Sequence, residues 1–467
     1  MAGITAALRL AENGARVQLL ESRRRLGGRA TSFADKRTGQ ELDNCQHVVL
    51  GCCTNYIDLC ARLGVADQIR WHDRQHWFEP GGRESIIGHW PLPAPAHQLP
   101  SFLRARFLSM GDKIAIMRAL RAMHAMDRAD LADRTFADLL ADLRQPASAV
   151  GRFWEAVVVS ACNLPAQRVA APVAVQVFQQ GFLANRRASR IGVPRVPLAR
   201  LYERAREVIT AAGGCVRLGA KVDWLDARSV RVRGADEPIH ADRVICAVPF
   251  ERLGSIVDES IRRDDPRFDR LSRLTHSPIL GVHLWFDRPV LRRPHAVLVE
   301  RGTQWLFRKD ESGRRLHAVV SAADGWMGLD ESRIVERVVA DIGACIPGAG
   351  EARLEQARAV KERRATFAPV QGVEAFRPGA VGPDERGLVL AGDYTATGWP
   401  ATMEGAARSG TIAAAAAGQD RPRPARPPAE GGAGAGSAGA VSAIGVSAAG
   451  RRGGHGWHSG ARSDKIR

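Results

Sequence analysis

The stretch ITAALRLAENGARVQLLESRRRLGGR, residues 4–29, reads as a helix, a turn, a strand and a glycine pair. Ile4, Ala7, Leu8 and Ala11 share one helical face, and Gly14 stands where helix C-termini favour a left-handed residue. Val17, Leu19 and Leu20 make a short apolar strand over residues 16–20, of the kind buried on both faces of a parallel sheet. Glu21 ends it. This is the second half of a dinucleotide-binding βαβ unit. The fingerprint of that unit, G-x-G-x-x-G, sets two glycines in a tight turn after a strand and a third where helix meets strand. Gly3 suits only the third, and the first would fall before Met1. Glu21 follows Gly3 by eighteen residues and so falls about twenty-three after the expected first glycine, in keeping with the ribose-binding acid at about twenty residues on. The expectation is that Met1 is an internal start. The missing strand and two glycines would then lie about thirty residues or fewer upstream, the scale of the absent part of one unit.

The chain has 467 residues and is 45% hydrophobic, enough for two or three structural units with a large core. Its net charge is +17; the segment from Gly418, with eight Lys and Arg against three Asp and Glu, supplies +5 of this and the body +12. A basic body suits an anionic membrane surface, or simply a solvated arginine-rich exterior. No nucleic-acid partner is expected. The eight cysteines contain no C-x-x-C pair, which argues against a zinc site, and no metal is expected. No signal peptide is evident, so the expected compartment is the cytoplasm. No apolar run is long enough to span a membrane. From Gln419 the composition collapses to Gly, Ala, Ser, Pro and Arg, so residues 418–467 are expected to form a disordered tail.

A second anchor lies at the far end. Residues 387–418, GLVLAGDYTATGWPATMEGAARSGTIAAAAAG, read as a strand over 388–391, a Gly392-Asp393 turn, and a helix opened by Pro400 and running to residue 417. The N-terminus of such a helix offers amides to an electron-rich oxygen. Glu404 reads there as an ordinary first-turn acid. Residues 241–249, ADRVICAVP, form another apolar strand. Between the anchors, residues 41–50 (ELDNCQHVVL) gather Asp43, Asn44, Gln46 and His47. Trp71, Trp77, Phe78 and Trp90 surround a turn at Pro80-Gly81-Gly82, which predicts an aromatic hairpin. Pro91, Pro93, Pro95 and Pro100 forbid a helix until Ser101. After Gly111, Ile114, Met117, Leu120 and Met123 form a stripe flanked by Lys113, Arg118 and Arg121. That pattern suits a core-facing helix and a membrane-interface helix alike. Residues 277–310 alternate in antiparallel fashion, with Val282, Leu284 and Phe286 opposite His283 and Trp285. They read as the floor of a substrate chamber.

These residues carry a resemblance. ESRRRLGGR resembles the E-x-x-x-R-x-G-G-R stretch of the FAD-dependent amine oxidase and phytoene desaturase superfamily. AGD…PATMEGAARSG and ADRVICAVP are similar to two further stretches of that superfamily. ELDNCQHVVL resembles the D-N-G-Q-H segment of the hydroxysqualene dehydroxylase family, with Cys45 in place of its glycine. Residues 89–123 and the string HLWFDRPV resemble the same family.

The resemblance implies FAD as cofactor. Glu21 would hold the adenosine ribose, and Arg25, Gly27, Gly28 and Arg29 the phosphates. Gly3 would supply the helix contact, and Val222 would lie beside the adenine. Gly392 and Asp393 would hold the ribityl or phosphate part, with Met403 near the isoalloxazine. The implied fold is α/β. A Rossmann-like FAD-binding domain lacking its first strand would be assembled from 1–89, 206–264 and 376–417. An α+β substrate domain would be inserted from 90–205 and 265–375.

The implied reaction is reductive removal of the allylic hydroxyl of hydroxysqualene, giving squalene for hopanoid synthesis. Hydroxide is a poor leaving group, so a proton donor is needed. His47 is the candidate, with Asp43 as its orienter. The implied partners are a lipid-like isoprenoid substrate, the inner face of the cytoplasmic membrane, and pathway enzymes related to squalene synthase. A carotenoid or phytoene desaturase, an amine oxidase-type flavoenzyme and a non-catalytic degenerate homologue stay open.

Overall fold

The computed structural model describes residues 1–384, 387–418 and 442–447, the last as backbone. The first helix, Ala2–Glu12, buries Ile4, Ala7, Leu8 and Ala11 as their spacing predicts. Gly14, at φ 75°, turns the chain into the glutamate strand, Arg16–Glu21. The terminal helix, Met403–Gly418, lies against the first helix. A Cβ on Gly410 would collide with the Ala2 carbonyl oxygen, so glycine sets this close helix contact. The helix begins three residues after Pro400. The intervening turn is held by Thr402, whose hydroxyl accepts from the Gly405 amide at 3.2 Å.

A five-stranded parallel sheet lies beneath these helices. Its order is Val389–Leu390, Arg243–Cys246, Ser442–Ser447, Arg16–Glu21, Cys215–Leu218. The central strand corrects two expectations. The middle position of the sheet is not empty, and the segment expected to be a wholly disordered tail contributes residues 442–447 to it. The physical reason is tertiary. SAIGVS has a weak strand pattern of its own, but it meets an open ladder on either side. The other residues of the expected tail, 419–441 and 448–467, lie outside the described residues.

The second large sheet has seven strands, in the order Leu354–Phe367, His276–Phe286, Arg315–Val320, Trp305–Arg308, His295–Leu298, Arg74–Phe78, Glu84–Gly88. The expected boundary at residue 89 places the hairpin of the last two strands with the cofactor residues. The hairpin joins this sheet instead, through a parallel pairing of Val297 with Trp77. Helix Glu331–Cys345 covers one face through Ile334, Val338 and Ile342. Helices between residues 99 and 183 pack on the other side around Trp154, Phe136 and Phe178. The first of them, Leu99–Arg104, starts two residues before Ser101 because Pro100 fits the opening turn, where no amide is required.

Asn163 joins these layers. It ends helix Glu155–Cys162 in the left-handed region, at φ 58°. Its side chain donates to the Ser277 carbonyl and the Thr366 hydroxyl, both at 3.0 Å, and accepts from the Ala322 amide at 2.7 Å.

Candidate cofactor and active site

Glu21 is buried where its strand ends, and one of its oxygens accepts from the Arg23 amide at 2.9 Å. The glycine pair follows. Gly27 (φ 110°) packs under the Tyr202 ring, where a Cβ would approach to 2.7 Å. Gly28 (φ 64°) faces nearly open space, where a Cβ would come no nearer than 3.9 Å to another group, the Met1 nitrogen. Gly28 therefore confronts the N-terminus of the first helix, a natural seat for a phosphate. Gly3 lies buried in the opening turn of that helix.

Arg25 does not serve this seat. Its guanidinium donates to the Ser32 carbonyl at 2.6 Å, and Arg23 takes the place beside the glycines by donating to the Gly28 carbonyl at 3.1 Å. Arg29 pairs with Asp393 across the two ends of the sequence. Val222 sits on strand Val222–Leu225, in one apolar cluster with Leu20.

Asp393 tests whether a flavin dinucleotide fits. It is 2% exposed, and Arg29 occupies one carboxylate oxygen. The other oxygen, Oδ2, is buried without a partner in the described protein. A buried carboxylate oxygen is costly unless a donor reaches it, and a ribityl or ribose hydroxyl supplies one. Gly392 beside it donates its amide to Ser409 Oγ at 2.9 Å.

Sequence reasoning missed the residue that shapes this loop. The Arg377 side chain is fully buried and donates to the carbonyls of Asp393 (3.2 Å), Thr395 (2.5 Å) and Trp399 (2.7 Å). Glu374 balances its charge at 2.6 Å. Most of its partners are backbone carbonyls, so no side-chain motif announces it.

From this cradle a chamber opens. Phe182, Val177 and Ile279 line it with Trp305, Phe307 and Met403. Gln46 and His47 enter it from the 41–50 segment, and Glu404 from the first turn of the terminal helix. Glu362, another lining residue that the sequence did not single out, is 1% exposed on the long strand Leu354–Phe367. Cys45, where the resembled family has glycine, does not adopt a left-handed backbone, so the substitution imposes no strain. Burial raises its thiol pKa, which leaves it unreactive.

The expected pairing of His47 with Asp43 is corrected. His47 Nδ1 lies 2.6 Å from the Cys45 carbonyl, so that nitrogen carries the hydrogen and the carbonyl orients the ring. Asp43 is occupied elsewhere, by Ser32 Oγ at 2.8 Å, the Leu198 amide at 2.9 Å and Lys309 Nζ at 3.3 Å. It caps a helix, Leu198–Ala211, whose preceding residue, Pro197, has no side-chain acceptor. Burial raises the Asp43 pKa, but Lys309 and the two hydrogen-bond donors outweigh it and hold the value below the usual range. Burial lowers the His47 pKa to about 4. Glu404 moves the other way, pushed up to about 10 by burial, although Asn55 donates to both its oxygens at 2.7 Å. At neutral pH the chamber thus holds a neutral imidazole and a carboxyl that keeps its proton.

A family model described as flavin containing amine oxidoreductase matches residues 1–417. Hydroxysqualene dehydroxylase of Sinorhizobium fredii is 28% identical over 427 residues, covering 89% of this chain and 95% of the relative. The 15-cis-phytoene desaturase of Solanum lycopersicum is 25% identical over 454 residues, covering 90% of this chain and 76% of the relative. Among solved structures, an oxidoreductase from Methanosarcina mazei superposes with a TM-score of 0.66 at 15% identity, over 88% of this chain and 97% of the other.

Proposed function

The chain belongs to the flavin-containing amine oxidoreductase family and is an FAD-dependent oxidoreductase, and within that family we propose that it removes the allylic hydroxyl of hydroxysqualene to give squalene. The observation that carries this reading is the chamber. Its aliphatic and aromatic lining suits a polyprenyl chain, and neutral His47 and protonated Glu404 suit a hydroxyl. Two relatives named hydroxysqualene dehydroxylase, each covered over at least 95% of its length, support the choice of substrate.

Replacing C–OH by C–H takes one hydride and one proton and releases water. Reduced FAD, when bound, supplies the hydride. Glu21, Gly28, Arg29 and Asp393 would hold the cofactor's sugar and phosphate parts. The apolar wall excludes water from the reacting carbon. His47 has its Nδ1 hydrogen committed to the Cys45 carbonyl, which fixes its neutral ring in the chamber wall, where it orients the substrate. The departing oxygen is protonated by Glu404, the chamber acid that keeps its proton at neutral pH. His47 is therefore assigned to positioning, not to the donor role its sequence context suggested.

Glu404→Gln keeps the volume and a partner for Asn55 but removes the transferable proton. Its turnover is expected to fall about 100-fold, with flavin content unchanged. His47→Ala is expected mainly to raise KM. Full turnover in Glu404→Gln would place the proton elsewhere. A second reading, dehydrogenation of a polyene, draws on the tomato relative. Product analysis with hydroxysqualene and with phytoene separates the two, squalene from the first supporting our proposal.

A lipid substrate directs attention to the surface. Ile86, Trp90, Leu92, Leu99, Leu103, Met110 and Ile114 are large apolar residues exposed within one 29-residue stretch. Arg104 stacks over Trp90 at 4.9 Å, and Arg106, Arg118 and Arg121 are close in sequence. The apolar stripe expected from Ile114 to Met123 divides, with Met123 in the core and Ile114 in solvent. An exposed apolar patch with basic neighbours fits an anionic bilayer. Among the described residues no helix is long and apolar enough to cross one. Co-sedimentation with vesicles containing anionic lipid is expected to exceed that with neutral vesicles at least tenfold. Trp90→Ser combined with Met110→Ser and Ile114→Ser should abolish it. Equal recovery with both vesicle types would contradict this assignment.

A further inference from the structure

In a doubly wound dinucleotide-binding sheet, the strand beside the glutamate strand is the one from which the phosphate turn issues. Here that position is filled from the far end of the sequence. Ser442–Ser447 runs parallel to the glutamate strand, from Arg16 opposite Ser442 to Glu21 opposite Ser447. It also runs parallel to Arg243–Cys246, from Arg243 opposite Ala443 to Cys246 opposite Val446. Both of its edges are therefore used. Without it, two inner strands would face each other across a gap with unpaired backbone groups, at a cost spread over the whole ladder.

The first helix packs across this strand. Strand, helix and glutamate strand reproduce a βαβ unit whose parts come from residues 442–447, 2–12 and 16–21. The polarity is also right. Ser447 is level with Glu21, so the strand ends on the side of the sheet where Glu21 lies and the Gly27-Gly28 turn follows.

We propose that residues 442–447 serve as the working first strand of the cofactor domain, closing the sheet and bringing Gly445, Val446 and Ser447 to the pyrophosphate side of the dinucleotide site. The proposal rests on the FAD reading for its ligand, a dinucleotide, but not for the strand itself. The tether allows it. Residues 419–441 separate the terminal helix from the strand, and a chain of that length spans about 75 Å when extended. The sequence suits the task. Gly445 and Ser447 stand two residues apart, the spacing of the fingerprint's first two glycines, with serine for the second. Small residues are what a backbone passing close to a pyrophosphate requires.

The test is hydrogen exchange on the intact, flavin-loaded chain, read by mass spectrometry. Amides of 443–447 are expected to exchange at least 1000-fold more slowly than in a free peptide of the same sequence, alongside those of 17–20 and 244–246. Free-peptide rates in 443–447, with 17–20 and 244–246 still protected, would overturn the proposal and assign the slot to another strand. Ile444→Pro removes a donor and inserts a ring in a strand paired on both sides. This variant should lose protection at 17–20 and retain flavin at least tenfold less well, while Ala440→Pro, outside the strand, should change neither. Ile444→Pro protein that keeps both would count against the proposal. If that variant fails to fold, the exchange rates of the unmodified chain decide. Protection of 443–447 in a chain that binds no FAD would leave the strand standing and sink the cofactor reading alone.

Discussion

Arg377→Met is expected to destabilise the protein by about 3–5 kcal/mol and to yield protein without flavin. Methionine fills much of the volume but donates nothing. Four loop carbonyls and Glu374 then lose a fully buried partner. Each carbonyl left dry costs about 1–3 kcal/mol, reduced where the loop shifts to find water. The loss reaches the cofactor because the same loop carries Asp393, whose two oxygens face Arg29 and the flavin seat. Urea midpoints and the ratio of flavin to protein absorbance measure the two effects. A variant that holds its flavin and unfolds at the parent midpoint would show that the loop is self-supporting.

Acidification is expected to produce the other large effect. Burial lowers the pKa values of His47 and His283 to about 4 and that of His295 to about 3, and it also holds His317 well below the ordinary histidine value. His317 lies against His283, with ring centroids 3.8 Å apart, and neither of its ring nitrogens has a hydrogen-bond partner in the described protein. All four are neutral in the native state, whereas in the unfolded chain they take up protons near pH 6.5. The unfolded state therefore binds more protons as pH falls from about 6.5 toward 4. Stability present above 6.5 is lost across that window, at about 1.4 kcal/mol per pH unit for each histidine.

Glu404 acts in the opposite sense. Its native pKa is raised, so the stability it contributes is complete below about 4.5 and declines as pH rises toward 10. Four histidines outweigh one glutamate on the acid side. The urea midpoint should thus fall steeply between pH 6.5 and 5, and more gently above 7. A midpoint independent of pH from 7 to 5 would mean that these histidines are charged in the native state. His295→Phe should shallow the acid slope, since it removes one of the four.

The features legible from residue order were those in which a local pattern and a tertiary role coincide. Glu21 ends an apolar strand at a readable distance from a glycine, and the Gly27-Gly28 pair takes the positive φ that only glycine adopts freely. Asp393 follows a short strand and opens the loop toward the terminal helix. The alternation of Val282, Leu284 and Phe286 survives as buried strand positions. What stayed hidden depends on partners remote in sequence. Residues 442–447 become a strand because two ladders lie open to them. Arg25 and Arg23 are near neighbours in sequence, and the Ser32 carbonyl decides which of them turns toward the glycines. Asp43 stands four residues before His47, but Lys309, some 260 residues away, claims its carboxylate. Glu404 reads as a first-turn acid favoured by a helix dipole. Only burial, which sequence spacing does not reveal, turns it into a proton reservoir.

The central claim is that the reduced flavin of this protein delivers its electrons to an allylic alcohol. Purified holoprotein, photoreduced without oxygen, is mixed with hydroxysqualene in anionic vesicles while flavin absorbance near 450 nm and squalene are followed together. The expected result is return of the oxidised flavin spectrum with one squalene formed per flavin. A flavin that stays reduced, with no squalene, would contradict it, and reduction of the oxidised holoprotein by phytoene would assign the enzyme to desaturation.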